Sequence, residues 1–201
     1  MRSTLYLKHH IQFLRWSGHY ALKPYIPAFS ALRQEPKDGE AAKSTAWIYG
    51  FKKHFKNAED FRVILESAAL HFKCDGIIPI PPSDPDTQPN SLQRLFGTPI
   101  RRTKAVETRK YNHRQSLSDH YYFSYELEPI AGKCFLLVDD IMRTGITMNH
   151  FRVTLARLGY MTVPMALGLY YKHPYTTGDS ISVYVEKSEV DHSLEEMILE
   201  I

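Results

Sequence analysis

Two adjacent carboxylates, Asp139 and Asp140, followed by Arg143-Thr144-Gly145-Ile146-Thr147, make up the stretch of this chain best suited to chemistry. Carboxylate oxygens accept hydrogen bonds from hydroxyl groups, and a short Thr/Gly turn offers backbone N–H and hydroxyl donors to an anion. Gly145 allows the backbone to approach a phosphate closely, while Thr144 and Thr147 add donors that an apolar turn would lack. Such a layout suits a ribose phosphate.

These residues need a strand before them and a helix after them. Cys134-Phe135-Leu136-Leu137-Val138 is an apolar run without alternation, which suits a strand of a parallel sheet covered on both faces. Asp139 and Asp140 are expected at its carboxyl end, where open α/β sheets bind ligands. A helix from Asn149 to Leu158 follows, with Met148, Phe151, Leu155 and Leu158 on one face and Gly159 as a left-handed cap. Its amino end points unpaired N–H groups at an anion.

The whole segment resembles the signature of type I phosphoribosyltransferases, which bind 5-phosphoribosyl-1-diphosphate (PRPP). The resemblance implies that fold: a twisted, mostly parallel α/β sheet flanked by helices, under a variable hood. It implies that Asp139 and Asp140 hold the ribose hydroxyls and that Arg143, Thr144, Gly145, Ile146 and Thr147 cradle the 5′-phosphate. Arg143 departs from the family, where that position often carries Thr, Ala or Asp. An Arg stays protonated at neutral pH and cannot act as a base. It is open to pairing with a ligand anion or forming a surface ion pair beside Asp140.

Upstream, Asn57 can cap a helix with Glu59 and Asp60 in its first turn and Phe61, Ile64, Leu65, Ala68 and Phe72 as its buried stripe. A short strand, Gly76 to Ile80, then runs into Pro81-Pro82-Ser83-Asp84, which cannot continue a ladder. The resemblance assigns Pro82, Ser83 and Asp84, with Arg102, to the diphosphate, often through a strained or cis peptide. It also implies a flexible catalytic loop between Thr98 and Tyr125, entered by a short strand at Arg101-Arg102 and left by another from His120 to Tyr125. Among its cations Arg102, Lys104, Arg109, Lys110 and Arg114, Lys104 and Arg109 are expected to be catalytic together with Asp139 and Asp140. Lys172, after the strand from Met161 to Leu169, resembles the purine-contacting Lys of xanthine-guanine enzymes, with Tyr175 as ring cover. Pro164 implies that this strand is bulged, lies at an edge, or begins its pairing after the proline. A second similarity, to competence-associated phosphoribosyltransferase-like proteins, rests on Tyr49-Gly50-Phe51-Lys52, but their amino-terminal zinc ribbon is absent.

The reaction so implied is displacement at ribose C1 with inversion and release of diphosphate, through an oxocarbenium-like transition state. Mg²⁺ would arrive on PRPP, held mostly by the ligand's oxygens. The expected partners are PRPP and a nucleobase, purine favoured, with the protein itself a homodimer as the family commonly is.

Composition sets the outer bounds. A chain of 201 residues with net charge +3 suits one modest globular unit, and its basic residues gather in clusters such as Lys52, Lys53 and Lys56. A polyanionic small ligand accounts for such clusters as well as nucleic acid does, and no helix-turn-helix with a basic recognition helix is evident. The sequence lacks an apolar run of about 18 residues, so the expectation is a cytoplasmic protein without a membrane span. Cys74 and Cys134 read as small core residues, and ten histidines without paired-ligand rhythm suggest no direct metal site. Residues 1–46 read as an amino-terminal extension, a hood or partner-binding segment, with Leu5, Tyr6, Ile11, Phe13, Leu14 and Trp16 on one face of a helix broken by Pro24 and Pro27. Residues 47–201 would form the phosphoribosyltransferase-like domain. A PRPP- or nucleotide-sensing regulator without catalysis and a partner-dependent accessory protein remain alternatives to the enzyme.

Overall fold

The computed structural model describes residues 6–25, 40–82, 88–102, 125–170, 174 and 176–186. In chain order the elements are β1 (Tyr6–Trp16), β2 (His19–Tyr25), α1 (Glu40–His54), α2 (Ala58–His71), β3 (Gly76–Pro79), α3 (Ser91–Phe96), β4 (Ile100–Arg102), β5 (Tyr125–Leu127), β6 (Cys134–Met142), α4 (Ile146–Arg157), β7 (Met161–Tyr170) and β8 (Thr176–Glu186). A six-stranded sheet runs β3-β6-β7-β2-β1-β8, while β4 and β5 form a separate ribbon. The neighbours β3, β6, β7 and β2 are parallel, and β1 is antiparallel to both β2 and β8. The chain is therefore mixed α/β with a mostly parallel sheet.

The unalternating run in β6 is explained by cover on both faces. Leu136 and Val138 pack with Ile48 and Phe51 of α1 and with Phe61, Ile64, Leu65 and Ala68 of α2. Phe135 and Leu137 pack on the other side against Met148, Phe151 and Leu155 of α4. All four strand residues are at most 4% exposed, so no position on this strand can be polar until Asp139.

Several local expectations need correction. Asn57 occupies the N-cap of α2 in left-handed conformation, but its side chain makes no capping bond. Helix α4 starts at Ile146, earlier than Asn149, and Leu158 is its C-cap and is 54% exposed. Leu158 has already left the helical spacing that buries Met148, Phe151 and Leu155. Pro164 lies on a central, unbulged strand, opposite Leu137. Pairing with β2 begins one residue later, at Tyr20 with Met165, so the third of the proline readings describes that side of the strand.

The largest correction concerns residues 1–46. Instead of a helix, the segment carrying Ile11, Phe13, Leu14 and Trp16 is the β1–β2 hairpin, turned by Ser17 and Gly18 at φ 47° and 77°. Two positive φ values in a two-residue loop match the twist of a hairpin, and Ser-Gly supplies them. Ile11 and Phe13, two apart, both face the core shared with α2. A period of two explains them better than a period of 3.6. The hairpin joins the main sheet through β2 and β7, and α1 spans the 46/47 boundary.

Candidate functional site

β3 pairs with β6 only as far as Pro79 opposite Val138, and the Ile80 N–H closes the ladder by donating to the Val138 carbonyl at 2.8 Å. Beyond that point β6 keeps β7 as neighbour, with Asp139 opposite Ala166 and Met142 opposite Leu169. The acidic pair thus lies before the last two residues of β6, not at its very end, and stands just beyond the last pairing with β3. Backbone N–H groups need acceptors even where a neighbouring strand has gone. The Asp140 N–H donates to Asp139 Oδ1 at 2.8 Å, and the Ile141 N–H donates to Asp140 Oδ1 at 2.7 Å.

Both carboxylates are half-buried, and they are not equivalent. Asp140 meets Lys52 Nζ of α1 through its Oδ2. Burial, reinforced by the negative Asp140 beside it, pushes the Asp139 carboxyl up to about 8, against the pull of the Asp140 N–H and of Lys52. At neutral pH the Asp139 carboxyl is therefore mainly protonated, beside the Lys52–Asp140 ion pair. Because the folded value lies above the unfolded one, folding takes up this proton. Its stabilising effect is full below about pH 4 and is lost as pH rises through about 8. Asp139→Asn should flatten that part of the pH–stability profile between pH 4 and 9, measured by urea unfolding; an unchanged slope would place the proton elsewhere.

Past β6, Gly145 adopts φ 72° at the N-cap of α4, and its carbonyl accepts the Asn149 N–H at 2.8 Å. A side chain there is disfavoured by the left-handed backbone more than by lack of room. The nearest atoms to an added Cβ, Cε1 of His19 and Cζ3 of Trp16, would both lie at 3.5 Å. The hairpin therefore backs the turn. His19 is 2% exposed, and neither ring nitrogen has a partner of good hydrogen-bond geometry among the described residues. Burial lowers its pKa, which favours the neutral ring. Thr144 and Arg143 are exposed, and Ile146 and Thr147 are half-buried in the first turn of α4. The Arg143 guanidinium lies over the Tyr170 ring, 5.8 Å from its centroid.

The third wall comes from the chain after β3. Pro81 is buried and Pro82 half-buried, and among the described residues no peptide bond is cis. The Asn90 side-chain amide donates to the Ile80 carbonyl at 2.9 Å and its oxygen accepts the Gln93 N–H at 2.8 Å, half of a capping box on α3. Next to it Ser91 Oγ donates to the carbonyls of Phe51 and Lys52 at 2.8 and 3.1 Å. One hydroxyl thus ties the last turn of α1 to the segment that leaves β3.

The β6–α4 unit brings together Asp139, Asp140, Arg143, Thr144, Gly145, Ile146 and Thr147 in one strand-turn-helix. Pro82 lies two residues past the Ile80 contact with β6. Arg102 ends β4, paired with Tyr125 of β5, so the ribbon brackets the basic segment as the sequence suggests, with its return strand at Tyr125–Leu127. Ser83, Asp84, Lys104, Arg109, Lys110, Arg114, Lys172 and Tyr175 lie outside the described residues, as do residues 120–124 of the strand expected from His120 to Tyr125. Lys52 at the acidic pair and Trp16 and His19 behind the turn were not legible as site residues. The basic cluster and Tyr49-Gly50-Phe51-Lys52 were the available signal for Lys52.

Among the described residues there is no group of three or more His, Cys, Asp or Glu suited to a metal ion. Cys74 and Cys134 are free thiols with sulfurs 3.8 Å apart, and burial and the neighbouring Cys134 push Cys74 up to about 12. No helix among the described residues is long and apolar enough to cross a membrane. No protein-family profile, curated protein or solved structure matches this chain.

Proposed function

We propose that this chain is a type I phosphoribosyltransferase-like protein that binds PRPP and transfers its phosphoribosyl group to a nitrogenous base, purine favoured, with release of diphosphate. The observation that carries the reading is the placement of the half-buried Asp139–Asp140 pair beyond the end of β3, followed directly by the Gly145 turn and the amino end of α4. Acceptors for vicinal hydroxyls and donors for a phosphate then stand on one rigid strand-turn-helix. In this reading the carboxylates fix the ribose, and Asp140 keeps negative charge near C1 as positive charge develops there. The bond from C1 to the diphosphate oxygen breaks with its electron pair on the leaving diphosphate, the base nitrogen bonds to C1 from the opposite face, and the proton of the base passes to the diphosphate or to water.

Two carboxylates, with no third acidic ligand grouped with them among the described residues, suit Mg²⁺ carried on the substrate's own oxygens. Mg²⁺ would supply charge neutralisation on the departing diphosphate. The dimer belongs to the same proposal.

A second reading has its own support. Arg143 stands where a 6-oxopurine enzyme usually has an acid, and its guanidinium lies over Tyr170. A cation stacked on a ring cannot take a base proton, which favours a sensor of PRPP or a nucleotide. Calorimetric titration with PRPP and Mg²⁺, then diphosphate release over a panel of purines and pyrimidines, separates the two. Base-dependent release is expected for the transferase; tight binding without release with any base would establish the sensor, and absence of PRPP binding would overturn both.

A further inference from the structure

Resting on the sugar-phosphate reading above, we propose that Lys52 discriminates between ligands at this site: it leaves Asp140 when the ribose hydroxyls occupy the acidic pair and binds the anionic group at C1. The Lys52 ammonium sits on Asp140 Oδ2, the oxygen not taken by the Ile141 N–H. A ribose hydroxyl directed at this oxygen competes with the ammonium for its lone pairs. Where the ammonium can go is restricted by its backbone. Ser91 Oγ holds the Lys52 carbonyl, and Asn90, next to Ser91, holds the Ile80 carbonyl at the point where the chain leaves β3. Ile80 in turn is bonded to Val138, the residue before the acids.

Lys52 therefore reaches Asp140 from α1, whose last turn is tied through Ser91 and its neighbour Asn90 to the chain leaving β3, with Gly145 and the amino end of α4 beyond the end of β6. A ribose bound by Asp139 and Asp140 with its 5′-phosphate at α4 directs its C1 substituent away from α4. That side is the one Lys52 occupies. Its side chain is 38% exposed, so the stem can swing without opening the core.

The residue thus acts with opposite sign on two related ligands. For ribose 5-phosphate, with no anion at C1, Lys52 competes for Asp140. For PRPP it supplies a charge-assisted contact to the diphosphate. Lys52→Met, which keeps the stem and removes the charge, is tested by calorimetry with both ligands in Mg²⁺. PRPP affinity is expected to fall about ten- to a hundredfold, the scale of one lost ionic hydrogen bond, while ribose 5-phosphate binds equally well or more tightly. Equal weakening of both ligands would assign Lys52 to the ribose or 5′-phosphate, and no change in either would make it a surface ion pair; each overturns the proposal. Failure of the unaltered protein to bind either ligand is a different result, because it removes the sugar-phosphate reading itself.

Discussion

Replacing both carboxylates, Asp139→Asn with Asp140→Asn, is expected to lower PRPP affinity about ten- to a thousandfold and to leave the protein folded. A hydroxyl bond to the ion-paired Asp140 is worth about 1.5–3 kcal/mol and one to the uncharged Asp139 about 0.5–1.5 kcal/mol, together about 2–4.5 kcal/mol, or one to three powers of ten. The fold should survive for reasons visible in the structure. Asn keeps the oxygen that accepts the Asp140 and Ile141 N–H groups, and at neutral pH Asp139 is already uncharged. Losing the partly exposed Lys52–Asp140 pair costs about 0–1 kcal/mol. The single variants should not be equal. At pH 7 Asp140→Asn removes the charge of the pair and should cost more than Asp139→Asn, with the gap narrowing above about pH 8 as Asp139 ionises. Calorimetry beside circular dichroism reads both quantities, and a folded double variant with unaltered PRPP affinity would remove the central assignment.

Phe61→Ala should bring the largest loss of stability, about 3–5 kcal/mol, because it empties a fully buried aromatic site. Phe61 is 0% exposed and lies with its ring centroid 4.0 Å from that of Trp47 and 4.3 Å from that of Phe51, both on α1. It is the residue of α2 that clamps α1, and α1 carries Lys52. The same change should therefore loosen the site as well as the core. Urea unfolding should show a lower midpoint with an unchanged slope. A loss below about 1 kcal/mol would mean that Trp47 and Phe51 close over the gap and that α1 is held chiefly by Ser91.

Local chemistry was legible where one segment carries both the signal and its cause. The β6 run is apolar at every position because α2 and α4 cover its two faces, and no other strand announces itself so plainly. The α2 stripe and the Gly159 cap, at φ 87°, are legible for the same reason. The hairpin was not. Ile11, Phe13, Leu14 and Trp16 fit a helical face nearly as well as a strand, and β1 carries a register shift between Gln12 and Leu14 that breaks alternation. Ser17-Gly18 was the discriminating signal, and it is only two residues long.

From the residues alone came the α/β class, the acidic pair before a Thr/Gly turn, and the helix whose amino end faces that turn. These follow from neighbours in the chain, since strand, turn and helix N-terminus are set by local periodicity and backbone preference. Tertiary structure alone decided that pairing with β3 stops at Val138, just before Asp139, that Lys52 crosses from α1 to Asp140, and that Trp16 and His19 back Gly145. Those contacts join residues tens of positions or more apart in the chain. Their partners are chosen by how helices and strands pack, and no periodicity within either segment encodes that choice.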